Sequence, residues 1–259
     1  MRAPPIALIT GAASGLGLEL AKALQCSHQL VLVDVNEQGL AACRERFPNA
    51  YCEHVDLADS HAIEQLLDKL LTQLPRLDLL INNAGITHRS PAASTSIQVM
   101  EKVMAVDYFA AVQLSQGLLP LLTASAGKIV NIGSMAGWMP VIERAGYCAA
   151  KSALHQYFET LRAELNRPGA VLMVYPSFLD TPIEHHALDS QGAIASHPRT
   201  TAGAMRSSDW MAKRIVKAMN GHQERLFPDR LTYFASVLYR LAPRLYLRLM
   251  RRKLGGQRG

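Results

Sequence analysis

The chain is poor in residues that bind metals or cross-link a fold. Its four cysteines, Cys26, Cys43, Cys52 and Cys148, form no C-x-x-C pair and no metal-ligand spacing, which argues against a zinc site or a disulfide scaffold. His185 and His186 are adjacent, so they face different directions, and no third ligand has suitable spacing, so no metal is expected. No signal-peptide pattern precedes the first apolar run at Ile6, and a reducing, cytoplasmic setting is the expectation. Neither an internal repeat nor a low-complexity segment is visible. Acidic residues are absent from residues 240–259, which hold seven Lys or Arg and so account for more than the whole net charge of +6. The body is close to neutral, and no nucleic-acid partner is expected.

What is present is the composition of a globular protein. With 259 residues, 49% hydrophobic and 19% charged, the chain can bury the core of one large α/β domain. Short apolar runs alternate with helical periodicity. Strands are expected at residues 6–10, 29–33, 50–55, 77–81, 128–133, 170–175 and 224–227. Helices are expected at residues 16–24, 36–47, from the cap at Asp59 or Ser60 to about 73, 95–122 with a stop near Pro120, 147–167 and 207–219. That order predicts a doubly wound, mostly parallel sheet with helices on both faces and a ligand at the carboxyl ends of the strands.

Two local patterns carry chemistry. Gly11, Gly15 and Gly17 lie between the first strand and the first helix, where glycines let the backbone approach a pyrophosphate at the positive helix end; an ordinary glycine turn is the alternative. The second strand ends at Asp34, about 20 residues on, where an acid accepts hydrogen bonds from adenosine ribose hydroxyls and repels a 2′-phosphate. NAD(H) is therefore expected over NADP(H), the alternative being an acid at a strand end facing water. Further on, Tyr147 and Lys151 are spaced i, i+4, so both can reach one site, and a fixed ammonium moves a phenol toward the working pH range. Ser134, thirteen residues earlier, can hold a substrate oxygen beside them.

Thr10-Gly11-Ala12-Ala13-Ser14-Gly15-Leu16-Gly17, Asn82-Asn83-Ala84-Gly85, Ser134 and Tyr147-x-x-x-Lys151 together resemble the short-chain dehydrogenase/reductase family over roughly residues 6–227. The resemblance implies a Rossmann-like α/β fold and reversible hydride transfer between NAD and an alcohol or carbonyl. Tyr147 would be general acid/base, Lys151 would lower its pKa and bind ribose, and Ser134 would stabilise the substrate oxygen. Cofactor contacts would come from Gly11, Ala13, Ser14, Gly15, Leu16 and Gly17 in the first turn, and from Asp34 and Val35. Asp56 and Leu57 would lie by the adenine, and Asn83, Ala84 and Gly85 near the cofactor or in support of the sheet. Pro176, Phe178 and Thr181 would lie near the nicotinamide. Helices at residues 95–122 and 147–167 would make a homodimer or homotetramer.

The chain departs from the pattern twice. Asp107 stands where the family has an asparagine whose backbone carbonyl holds a water linked to the lysine; an Asp can serve the same way, adds charge, or is a structural carboxylate. Ser177 replaces the glycine usual after Pro176. The loop 135–143 is apolar, and Ala136, Trp138, Met139 and Ile142, with Ser134, Tyr147, Phe178 and Trp210, are candidates for a pocket taking an apolar alcohol or ketone. The alternative is a loop packed on its neighbours. Residues 183–206 have the composition of a substrate lid.

The boundary of the catalytic domain is placed at residues 1–228, followed by a basic amphipathic tail at 229–259. Arg at every turn prevents this tail from spanning a bilayer. It can lie on an anionic membrane surface or pack on its own body, in two segments separated at Pro243. Two other functions remain compatible with the residues: a cofactor-binding regulatory or scaffold protein with little turnover, and a peripheral membrane protein acting through the tail.

Overall fold

The computed structural model describes residues 4–176, 179–196, 205–228 and 230–255. The elements run β1 (Ile6–Thr10), α1 (Gly15–Leu24), β2 (Gln29–Asp34), α2 (Glu37–Arg46), β3 (Tyr51–His54), α3 (Ser60–Gln73) and β4 (Leu79–Asn82). They continue with α4 (Ile97–Met104), a π-helical turn (Ala105–Phe109), α5 (Ala110–Ala124), β5 (Lys128–Ile132), α6 (Ala145–Leu165) and β6 (Val171–Val174). After these come β7 (Leu179–Asp180), β8 (Arg206–Ser207), α7 (Ser208–Asn220), β9 (Arg225–Leu226), α8 (Arg230–Leu241) and α9 (Pro243–Gly255). Seven strands form one parallel sheet in the order β3-β2-β1-β4-β5-β6-β9. The order reverses at β1, which pairs with β2 on one side and β4 on the other.

Alternation along the strands builds two cores. In β1, Ile6 and Leu8 join a cluster with α3, α5 and α6 through Leu66, Leu114 and Phe158. Ala7 and Ile9 point the other way, to Leu20 of α1, Leu40 of α2 and Ile215 of α7. Both sheet faces are covered, which is why these strands read as continuous apolar runs. Side-chain caps fix the helix starts: Asn36 accepts from Gly39 N, Asp59 from His61 N and Ser207 from Trp210 N.

The helical pattern at residues 95–122 differs from expectation in two ways. A π turn interrupts it at Asp107, and Pro120 does not end it, because α5 runs to Ala124. Pro120 and Gln116 lie on the exposed side while Leu118 and Leu122 are buried. The carbonyl that loses its N–H partner at Pro120 therefore faces water, and packing holds the last turn.

The basic tail forms the two expected segments, with Pro243 opening the second, a position that tolerates its missing N–H. Both pack on the body. Tyr246 is buried and its hydroxyl donates to Pro140 O at 3.1 Å; the Arg240 guanidinium lies 4.2 Å from the Trp138 ring centroid; and Tyr233 packs on Phe227 at 4.9 Å.

Candidate active site

The carboxyl ends of β1, β2, β4, β5 and β6 open into one cavity of about 640 Å3, at the switch point where parallel sheets of this kind bind ligands. One end is backbone. Gly11 and Gly15 have φ of +63° and +50°, values that disfavour any residue with a Cβ. Gly11, Ser14, Gly15 and Leu16 line the cavity at the N-terminus of α1, whose first turn carries no acidic side chain. Gly17 lies beneath: a Cβ there would come 2.0 Å from Gly11 O, so its part is helix-to-turn packing.

Asp34 and Val35 line the cavity next to this turn. The Asp34 carboxylate accepts from Ala13 N and from Asn36 N, both at 2.9 Å, so Ala13 positions Asp34 and is not itself a cavity wall. Asp56 and Leu57 extend the same wall. Asn83, Ala84 and Gly85 line the cavity and also brace the glycine turn. Asn83 Nδ2 donates to Thr10 O at 2.9 Å and Gly11 O at 3.1 Å, while Thr10 Oγ1 accepts from the backbone N–H groups of Asn83 and Ala84 at 3.0 Å.

At the other end, Ser134, Ala136, Met139, Tyr147, Pro176 and Thr181 line the cavity. Lys151 is buried one helical turn below Tyr147, its Nζ 5.6 Å from the ring centroid. It donates to Ile132 O at 3.1 Å and lies 3.2 Å from Asp107 Oδ2. Asp107 is fully enclosed in the π turn, its Oδ1 accepting from Ile86 N at 2.7 Å.

These three groups perturb one another. Burial raises the Asp107 carboxyl above the usual range against the pull of Lys151. Burial opposes the Lys151 ammonium, but Asp107 and Tyr147 more than offset it, so the lysine stands above its ordinary pKa. Tyr147 also stands above the ordinary phenol value: burial and Asp107 raise it, whereas Lys151, Ser134 and Arg144 pull down.

Three expected residues stand elsewhere. Trp138 faces away from the cavity, in a cluster with His155, Tyr175 and Phe227 at 4.8, 5.3 and 5.5 Å, beneath Arg240; aromatic packing and the tail capture its ring. Ile142 is exposed beside Glu143, which turns the chain with φ of +64°. Trp210 is flanked by Arg206 and Arg214 at 5.2 and 4.9 Å on α7. Phe178 lies outside the described residues, as do 197–204 of the expected lid. The rest of that segment is tied to the body, Arg89 N donating to Leu188 O and Leu188 N to Thr87 O.

The sequence reading missed a charged wall. Arg144 donates to Thr87 Oγ1 at 2.8 Å and to Glu184 Oε2 at 2.7 Å, and Arg89 donates to Glu184 O at 2.9 Å. Arg144, Glu184, Lys102 and His186 share the cavity with Met139, Val141 and Ile183. The one local signal was Arg144 three residues before Tyr147. Its partners come from distant segments, and no spacing rule pairs them. Among the described residues no cluster of His, Cys, Asp and Glu fits a metal.

Residues 5–192 match the family model described as short chain dehydrogenase. The chain belongs to the short-chain dehydrogenase family. A Drosophila melanogaster relative, "Dehydrogenase/reductase SDR family protein 7-like", is 32% identical over 96% of this chain and 80% of its own length. The fold of this short-chain dehydrogenase is shared with one from Streptomyces avermitilis, at 22% identity and a TM-score of 0.82 over 99% of both chains. A short-chain dehydrogenase from Sphingobium yanoikuyae in complex with NADPH is 25% identical with a TM-score of 0.73, covering 87% of this chain and 88% of that one.

Proposed function

We propose that this short-chain dehydrogenase interconverts a hydroxyl and a carbonyl on a small, largely apolar substrate, with NAD(H) as cofactor. The observation that carries the reading is the placement of Ser134, Tyr147 and Lys151 at one end of a cavity whose other end is a glycine turn beside Asp34. The residues fit a dinucleotide: the turn is a cradle that side chains would fill, at a helix N-terminus free of acidic groups. A bound nicotinamide would supply hydride chemistry. The chain supplies the rest. Gly11, Gly15 and the α1 N-terminus hold phosphates, Asp34 takes ribose hydroxyls, and Thr181 and Pro176 border the reacting end. Tyr147 moves the substrate proton, Ser134 holds the oxygen, and Lys151 sets the charge beside the phenol.

Asp34 supports NAD(H) by repelling a 2′-phosphate, whereas the NADPH held by the Sphingobium yanoikuyae protein makes the preference worth measuring. The test is NADH formation from hydrophobic secondary alcohols, in parallel with NADP and with Tyr147→Phe. Turnover with NAD that falls by about 10²–10⁴ in the variant is expected. Tight cofactor binding without any turnover would favour the regulatory reading instead.

The assembly reading is a homodimer or homotetramer in the cytoplasm, formed on α5 and α6. Phe109, at the head of α5, is 57% exposed and its ring lies tilted against Tyr108, itself edge-on to Tyr157 of α6, an apolar face that a second copy would cover. A monomeric mass in light scattering would reject it. The tail supports peripheral contact with an anionic membrane: Leu241, Leu245 and Leu249 are exposed beside Arg244 and Arg248. Liposome flotation of the full chain, beside a chain ending at Pro228, tests this contact; equal flotation removes it. No described helix is long and apolar enough to cross a membrane.

A further inference from the structure

Asp107 does more than cap a turn. A π bulge inserts one extra residue into the helix, and here it carries a carboxylate inward, onto the ammonium of Lys151. Oδ1 is committed to Ile86 N. Oδ2 meets Nζ at 3.2 Å but makes no aligned hydrogen bond, so the contact is an ion pair. A second, small cavity of about 10 Å3, lined by Asp107, Lys151, Asn82 and Thr10, is at the lower limit for a single water. Asn82 Oδ1 and Asp107 Oδ2 are both buried without a hydrogen-bond partner, and one water donating to each would satisfy both.

Among the described residues, few charged groups act directly on the Tyr147 phenol, although Lys102, Glu184 and His186 share its cavity. Lys151 comes from its own helix, Arg144 from the start of that helix, and Asp107 from the π turn; Ser134 adds a hydroxyl from the end of β5. Arg144 is engaged by Glu184. Lys151 and Asp107 therefore set most of the field at the phenol, with opposite signs. The family resemblance implies an asparagine here, an uncharged side chain whose part is played by its main chain. In this chain a side chain opposes the lysine charge at contact distance.

We propose that Asp107 is a positioning residue whose carboxylate, set against Lys151, opposes the lysine's stabilisation of a Tyr147 phenolate and so biases the site toward carbonyl reduction. The inference rests on the proposed proton-transfer role of Tyr147. In reduction, the carbonyl carbon would take a hydride from the reduced nicotinamide cofactor, which would leave oxidised, and the Tyr147 O–H bond breaks to give its proton to the carbonyl oxygen. The phenolate left behind is stabilised by Lys151. Oxidation must begin from that phenolate, which the nearby carboxylate disfavours.

The test is Asp107→Asn, which keeps the size of the side chain and an oxygen for Ile86 N. The phenolate absorbance of the protein is titrated against a Tyr147→Phe background, in wild type and variant alike, without substrate or cofactor. The expected result is a midpoint for Tyr147 lowered by about one pH unit, since a like charge a few ångströms away has been removed. The acid limb of alcohol oxidation should move down by the same amount, raising oxidation below the midpoint up to about tenfold. An unchanged midpoint, or one moved upward, would overturn the proposal. If Asp107→Asn does not fold, Asp107→Ser removes the same charge and should show the same downward shift. A shifted titration without turnover would reject the enzymatic reading and leave the charge coupling standing.

Discussion

The two ends of the cavity are built by different means. The proposed nucleotide end is mostly backbone: glycines within seven residues, a helix N-terminus, and Asp34 held by Ala13 N and Asn36 N. The substrate end is mostly side chain: Arg144 reaches Thr87 across 57 positions and Glu184 across 40, and Tyr246 reaches Pro140 across 106. A ligand common to many enzymes can be held by main-chain geometry, which tolerates few residue types. A wall that must suit one substrate is assembled from distant side chains, each replaceable by others.

If that contrast holds, the largest single loss should come from the substrate end. Glu184 is shared by Arg89 and Arg144, and all three side chains are mostly buried. Glu184→Gln removes the carboxylate charge that two mostly buried guanidinium groups share, which costs about 3 kcal/mol. Denaturant unfolding should report most of that cost. KM for the substrate should rise while affinity for NADH stays within about twofold of wild type, since no part of the glycine turn is touched. Weakened NADH binding would show that the two ends are not separable.

The converse change lies in the turn. Gly17→Ala places a Cβ against Gly11 O, which is main chain and cannot rotate away. The strain should cost about 2 kcal/mol and lower Tm by roughly 4–8 °C for a chain of this size, with NADH affinity falling in step and the substrate KM unchanged.

The contrast also explains what was legible beforehand. Alternating apolar runs and helical periods gave the sheet and its helices, because each element buries a face determined by its own residues. Glycines and Asp34 were readable because backbone conformation restricts residue type locally. The apolar composition of the loop points Trp138 and Ile142 to the pocket. Composition cannot say which way a loop turns, and the ring of Trp138 is drawn to Tyr175, Phe227 and Arg240. Pro120 does not end α5 because the hydrogen bond it forgoes lies on the exposed side of the helix, which a local pattern does not show. The Arg144–Glu184 contact left no trace, since a loop residue and a helix start forty positions apart share no period.

A third prediction sharpens the nucleotide end. Asp34→Ala removes the repulsion toward a 2′-phosphate and also the acceptor for Ala13 N. The ratio of NADP to NAD efficiency should rise by about tenfold, equivalent to about 1.4 kcal/mol, with part of the change coming from weaker NAD binding. A ratio that does not move would mean that Asp34 shapes the turn without contacting ribose.

The smallest effect tests the outer layer of the substrate end, where the tail meets the loop. Burial, with smaller contributions from Cys148 and Tyr239, pushes the Tyr246 phenol up to about 12, so its hydroxyl stays a donor to Pro140 O throughout the working pH range. Tyr246→Phe keeps the ring and loses one hydrogen bond, worth about 1 kcal/mol. Pro140 lies between Met139 and Val141, both of which line the cavity, so the loosened loop should raise substrate KM by a few fold with kcat nearly constant. Since the donor stays protonated across the working range, the ratio of wild-type to variant KM should be flat from pH 6 to 9. A pH-dependent ratio would place the tail's influence on Tyr147 and not on the wall that Met139 and Val141 form.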